Sequence, residues 1–438
     1  MGGRFGWSAS WIFALILASL PLLCAAQQDP ARRDAESTNG VGPAGKAAAG
    51  LASSLHEGAP PADAGRGPSA IVHPIVPAGT SPSAGAAGTA SSGTATPGSD
   101  APPAVANEKD DTAATPAPVV RSGIALILPA KASPFGRAAE AVRQGFMAAR
   151  VVAGNKPEVR VFDADGSADG VRAAFALAMA SNPVVVVGPL TKAEVGAVLN
   201  LPLPVPTLAL NAPDDNARLP PNFYALSLNT ESEARAAAAA AFRQDATIAL
   251  VVTTRAPLSA RAAAAFADAW VALGGSVRET IEFTGSLGRL RQAVERARGD
   301  IVFLAVDAER AKLMRPYLGR NVQMIGTSQV YGGAARSKTY KAHDLNGLRF
   351  VDMPWLHQPD HAAVMVFPRP ETAMSADLDR LYALGVDAFR IAAELARART
   401  EFTVDGVTGS LAVHAGVIER VPLQFEYRDG AVVPVSER

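Results

Sequence analysis

The sequence predicts an α/β protein built as two similar lobes, and three observations carry that prediction. Short apolar runs alternate with helical patterns at the spacing of parallel strands and their crossover helices. The same pattern starts again near Thr230. Between Asn182-Pro183 and Gly188-Pro189 lie four consecutive valines, Val184 to Val187, the unbroken apolar run of a strand covered on both faces.

Taken in order, the chain opens with Arg4, an apolar run from Trp11 to Leu23, and the small residues Cys24, Ala25 and Ala26. That is the three-part plan of a secretory signal over 1–26, and the run is short for a stable membrane span. Two outcomes follow: cleavage after Ala26 with soluble export, or lipidation of Cys24 and anchoring to a membrane. Pro21-Leu22-Leu23 lacks the small residues usual before a lipidated cysteine, which favours soluble export. Cys24 is the only cysteine, so neither a disulfide framework nor thiol chemistry is available.

From 27 to 120 the chain is Ala, Gly, Pro, Ser and Thr with few large apolar side chains. Such a stretch cannot bury enough surface to offset its conformational entropy and reads as a disordered linker. Fully flexible, it would span roughly 50 Å. Lys plus Arg is 41 and Asp plus Glu is 41, so a chain-wide basic footprint for nucleic acid is excluded.

The folded module is expected over 121–438. Gly123 to Pro129 is a strand; Ser133-Pro134 offers an N-cap and a first-position proline for the helix carrying Phe135, Ala139, Val142, Phe146 and Ala149 on one face. Strands at 158–163, 184–187, 206–210 and 223–228 and helices at 171–180 and 191–199 complete the first, Rossmann-like lobe. Thr191 and Glu194 have capping-box spacing, as do Thr230 and Glu233 at the head of an alanine-rich helix. Strands at 247–252, 277–283, 301–306 and 323–326, with helices at 259–273, 287–297 and 308–318, make the second lobe. The segment 345–356 reads as extended chain returning to the first lobe. Ser375 then caps a long helix with Asp377 and Asp379 in its first turn. Short alternating runs from Gly406 to Val435 follow, with Asp429-Gly430 as a hairpin turn. The expected partition is 121–228 with 346–400 for one lobe, and 229–345 with 401–438 for the other.

Two such lobes joined by crossing strands resemble the type I periplasmic binding proteins. Several stretches resemble, more narrowly, the penicillin-binding-protein activator (LppC/LpoA) family. They are Ile124-Ala-Leu-Ile-Leu-Pro129 with Gln144-Gly-Phe146, Val187-Gly-Pro-Leu-Thr191, Pro206-Thr-Leu-Ala-Leu-Asn211, Thr327-Ser-Gln-Val-Tyr331, Asp344-Leu-Asn-Gly-Leu-Arg-Phe350 with Asp352-Met-Pro-Trp355, and Arg380 through Asp387. The resemblance implies a non-catalytic periplasmic protein that stimulates a bifunctional peptidoglycan synthase from the outer-membrane side. Where the best-described members carry a helical repeat domain, this chain has its low-complexity linker. The wider fold implies the alternative, a receptor for an amino acid or small amide serving an ABC transporter.

No enzyme is expected. His56, His73, His343, His357, His361 and His414 stand in no motif pairing them with a nucleophile. His357 and His361 are four apart, but Pro359 between them argues for loop histidines rather than metal ligands. No phosphate-cradling or dinucleotide glycine motif occurs, so no cofactor is expected. Candidate ligand residues lie at strand ends, where open α/β sheets take ligands. They are Ser133, Thr191 and Asn211 from the first lobe, and Thr254, Arg255, Asp307, Ser328, Gln329 and Tyr331 from the second. Helix-terminus donors at Ser133 and Thr191 would suit a carboxylate or phosphate, and the Arg255 fork a carboxylate. Capping alone explains Ser133, Thr191 and Asp307. Met353 and Trp355 are expected to pack at the hinge, and Asp344 and Asn346 to satisfy turn backbone.

Overall fold

The computed structural model describes residues 121–214, 217–319, 321–333, 342–414 and 416–436. The expected signal, the linker and Cys24 lie outside the described residues.

Five parallel strands make the first sheet: β1 (Ile124–Pro129), β2 (Val159–Ala164), β3 (Val185–Val187), β4 (Thr207–Ala209) and β5 (Phe223–Ala225), in the order β2-β1-β3-β4-β5. Every residue of β1 and β3 is buried, because helices cover both faces of the sheet. One face packs on α1 (Gly136–Val152), the other on α2 (Ala168–Ala180) and α3 (Lys192–Val198). The capping box at the start of α3 forms as expected: Thr191 Oγ1 accepts from the Glu194 amide, and the Glu194 carboxylate accepts from the Thr191 amide.

The second lobe repeats the plan. It runs α4 (Thr230–Phe242), β6 (Ile248–Thr253), α5 (Pro257–Ala272), β7 (Ser276–Glu282), α6 (Leu287–Ala297), β8 (Ile301–Leu304), α7 (Ala308–Met314), β9 (Gln323–Gly326) and β10 (Leu348–Asp352). Its parallel strands take the order β7-β6-β8-β9-β10, the same winding as in the first sheet. The remaining elements are α8 (Pro354–His357), α9 (Ala362–Met365), α10 (Ala376–Leu395), β11 (Phe402–Gly406), β12 (Gly409–His414), β13 (Val417–Val421), β14 (Leu423–Arg428) and β15 (Ala431–Pro434). α10 lies against α1, where two glycines bring the helix backbones together. A Cβ on Gly145 would fall on the Tyr382 carbonyl oxygen, and one on Gly385 on that of Val142.

The structure corrects four local expectations. Leu348–Asp352 does not return to the first lobe; it is the fifth parallel strand of the second sheet, with Phe350 and Val351 buried on opposite faces. Conversely, β11 to β13 form a three-stranded antiparallel sheet whose inward side chains Phe402, Val404, Leu411 and Val413 complete the first lobe's core, and only β14 and β15 join the second sheet. Both misplacements have one cause: alternation identifies a strand but not the core it faces. Ser133 caps no helix, since turns closed by Ser133 N to Ala130 O and Gly136 N to Ser133 O delay α1 until Gly136. At α4 the cap is Asn229, whose side chain accepts from the Ser232 amide, and Glu233 turns away from its own helix end.

Candidate functional site

Three crossovers join the lobes: β5 into α4, β10 into α8, and β13 into β14. A buried charge stands beside each. Glu233 sits in the first turn of α4, Asp352 ends β10, and Arg420, whose side chain is buried, lies one residue from the end of β13. A fourth, Arg380, projects from α10 of the first lobe.

These residues form one network. Arg380 donates to Asp352 from Nε at 3.3 Å and from Nη2 at 2.9 Å, and Nη2 also reaches the carbonyls of Ser328 (3.0 Å) and Tyr331 (3.5 Å). Arg420 Nη2 donates to Glu233 Oε1 at 3.0 Å, while Glu233 Oε2 accepts from the Ser328 amide at 3.1 Å. Ser328 therefore links the two ion pairs through its own backbone. His357 Nε2 hydrogen-bonds Asp352 Oδ2 at 3.0 Å, and its ring is enclosed by Tyr331, Phe350 and Phe425. From Arg420 the network continues through the Thr408 carbonyl to Asp387 of α10, which accepts from the Val407 amide and from the Thr408 amide and hydroxyl.

Burial and charge compete at each carboxylate. Burial alone would push the Asp352 carboxyl up, but the Arg380 guanidinium and the His357 hydrogen bond override it and hold the group at about 2. At Glu233 burial wins over Arg420 and the carboxyl is pushed up; Asp387 is pushed up in the same way against its Thr408 hydrogen bonds. Arg380 is held firmly protonated: Asp352 outweighs the burial that opposes its charge.

The nine strand-end candidates fall into two groups. Ser328 and Tyr331 enter the network through their backbone, and Tyr331 also through its ring. The others are held locally or stand apart. Thr191 is in its capping box, and Asn211 donates to the Leu190 carbonyl and accepts from the Ala212 amide. Thr254 accepts from the Ala256 amide, Asp307 caps α7, and the Gln329 amide closes on Thr327. Arg255 is largely exposed and pairs with Glu282 at 2.7 Å. The Ser133 hydroxyl is buried with no partner among the described residues.

His357 ends α8 while His361 caps α9, and they have separate partners, His361 facing Asp405 at 3.8 Å. Among the described residues, no three His, Cys, Asp or Glu side chains converge as metal ligands. The depression of about 350 Å³ lined by Val152, Phe367, Phe389 and Arg397 lies on the first lobe, away from the strand-end candidates.

Sequence reasoning missed Glu233, Asp352, Arg380 and Arg420 as a group. The available signal was Arg380 and Asp387 lying among buried apolar residues of one helix, together with Asp352 closing a strand buried at nearly every position.

A model of the family described as "LppC putative lipoprotein" matches residues 117–430. Penicillin-binding protein activator LpoA of Edwardsiella piscicida is 28% identical over 336 residues, covering 65% of this chain and 47% of that protein. LpoA of Klebsiella pneumoniae is 26% identical over 326 residues, 64% of this chain and 45% of the relative. The chain thus spans about half the length of the curated relatives it matches. Among solved structures, the "LpoA (YraM) C-domain from Haemophilus influenzae, a regulator of PBP1A" matches with a TM-score of 0.62 and 26% identity, over 72% of this chain and 100% of that one. A Chromobacterium violaceum structure described as a "putative branched-chain amino acid ABC transporter" matches with a TM-score of 0.62 and 35% identity, over 69% of this chain and 99% of that one.

Proposed function

The chain belongs to the LppC family, and from that premise we propose that it is a non-catalytic regulator of peptidoglycan synthesis, activating a bifunctional penicillin-binding protein by contact. The observation that carries the reading is at the strand ends. Several polar side chains that would grip a solute there are engaged by the chain itself, as those of Thr191, Asn211, Thr254 and Asp307 are. A protein with such a cleft acts through its outer surface. The names of its relatives, penicillin-binding protein activators, supply the partner class.

Catalysis finds no support at the His357–Asp352 pair of the junction, because His357 is sealed under aromatic rings where no substrate reaches it. The export signal expected over 1–26 puts the site of action in the periplasm, with Cys24 as the candidate attachment to the outer membrane. The test is glycan-strand synthesis by the organism's own purified bifunctional synthase with and without the full chain. Stimulation together with direct binding is expected; absence of both overturns the proposal.

A second reading, a receptor for an amino acid or small amide, is favoured by the 35% identity to the Chromobacterium violaceum structure. A ligand that binds only the folded state raises the melting temperature. A panel of amino acids that leaves it unchanged counts against the receptor, and a concentration-dependent rise counts for it.

A further inference from the structure

In two-lobed proteins that close on ligands, bending is absorbed by a few residues in the segments joining the lobes. Here each joining segment adjoins a buried charge tied across the junction. Arg420, on the first lobe's antiparallel sheet, holds Glu233 on α4 of the second, and the two side chains are 4% and 3% exposed. Arg380, on α10 of the first lobe, holds Asp352 at the end of β10 of the second, at 8% and 0% exposure. Ser328 joins the pairs, giving its amide to one carboxylate and its carbonyl to the other pair's guanidinium.

We propose that this network locks the hinge, so that the two lobes keep one fixed relation and do not close on a ligand. Rotation at any crossover would draw a guanidinium away from its carboxylate while both remain buried, and an uncompensated buried charge is strongly unfavourable. The planar Arg380 fork, with two nitrogens on the two oxygens of Asp352, tolerates little reorientation. A flexible hinge would instead place small or solvated residues at these positions. The lock concerns the junction alone and holds whichever partner the outer surface meets.

Hydrogen exchange on the full chain, read by mass spectrometry, tests it. The hydrogen-bonded crossover amides of Leu226 (to the Ala209 carbonyl), Met353 (to the Asp352 carboxylate) and Trp355 (to the Val407 carbonyl) are expected to exchange as slowly as those of β1 and β6. Substituting the neutral pair Asp352→Asn/Arg380→Met is expected to speed exchange at the crossovers by about tenfold while β1 and β6 keep their protection. Wild-type crossovers that exchange about tenfold faster than both lobe cores overturn the lock. So does a double variant whose crossovers are unchanged. If the double variant does not fold, Arg380→Lys keeps the charge and loses the fork; a smaller acceleration confined to the crossovers is expected, and none overturns the proposal. Protection that appears at the crossovers on adding an amino acid also overturns it. Synthase stimulation, measured on the same preparations, reports separately on the regulatory role.

Discussion

Arg380 shows how one side chain can be committed to an entire junction: its guanidinium serves a carboxylate and two carbonyls of the other lobe and pairs with Asp377 of its own helix. Removing it while Asp352 remains leaves a buried, uncompensated carboxylate. Arg380→Met is therefore expected to lower the unfolding free energy by about 3–5 kcal/mol in urea denaturation; a loss within experimental error would show the pair is not buried in solution. The carboxylates make opposite contributions to the pH dependence. Asp352, held at about 2 against an ordinary 3.8, contributes stability that is full above about pH 4 and lost as pH falls through 2, on the order of 2 kcal/mol. Glu233 is pushed up, so its contribution is largest below the ordinary carboxylate range and is lost as pH rises through its folded value. Denaturation as a function of pH checks both signs: Asp352→Asn is expected to flatten the decline on the acid side, and Glu233→Gln the decline on the neutral side.

Among the elements, the packing of α1 on α10 ties two stretches that are far apart in the chain, Gln144-Gly-Phe146 and Arg380 to Asp387. Gly145 and Gly385 lie where a Cβ would meet backbone oxygen of the facing helix. In an exposed helix Gly→Ala would add about 1 kcal/mol of stability; at these two positions the overpacking term dominates, and each substitution is expected to cost about 1–3 kcal/mol in thermal denaturation. A rise in melting temperature would mean the helices stand apart. Elements set by local chemistry were legible in sequence. The Thr191–Glu194 capping box forms, and Asp429-Gly430 turns the β14–β15 hairpin with both residues at positive φ. What alternation could not reveal was which lobe receives β10 and which receives β11 to β13.

At the scale of the whole molecule, two sheets of identical winding share one junction sealed by ion pairs. Calorimetry of the full chain is expected to show the two lobes unfolding in a single transition, since separating them would expose Glu233, Asp352, Arg380 and Arg420 together; two resolved transitions would show that the lobes are independent. By itself the sequence determined the type and order of the alternating strands and helices up to Gly326 and the doubling of the lobe, because hydrophobic period, caps and turns act over a few residues. Family motifs were readable for the same reason, as short local runs. Only the tertiary structure decided the junction. Glu233 meets Ser328 across 95 positions and Arg420 across 187, and no local pattern marks a charge whose partner is that distant; its burial is tolerated only because folding brings the opposite charge to it.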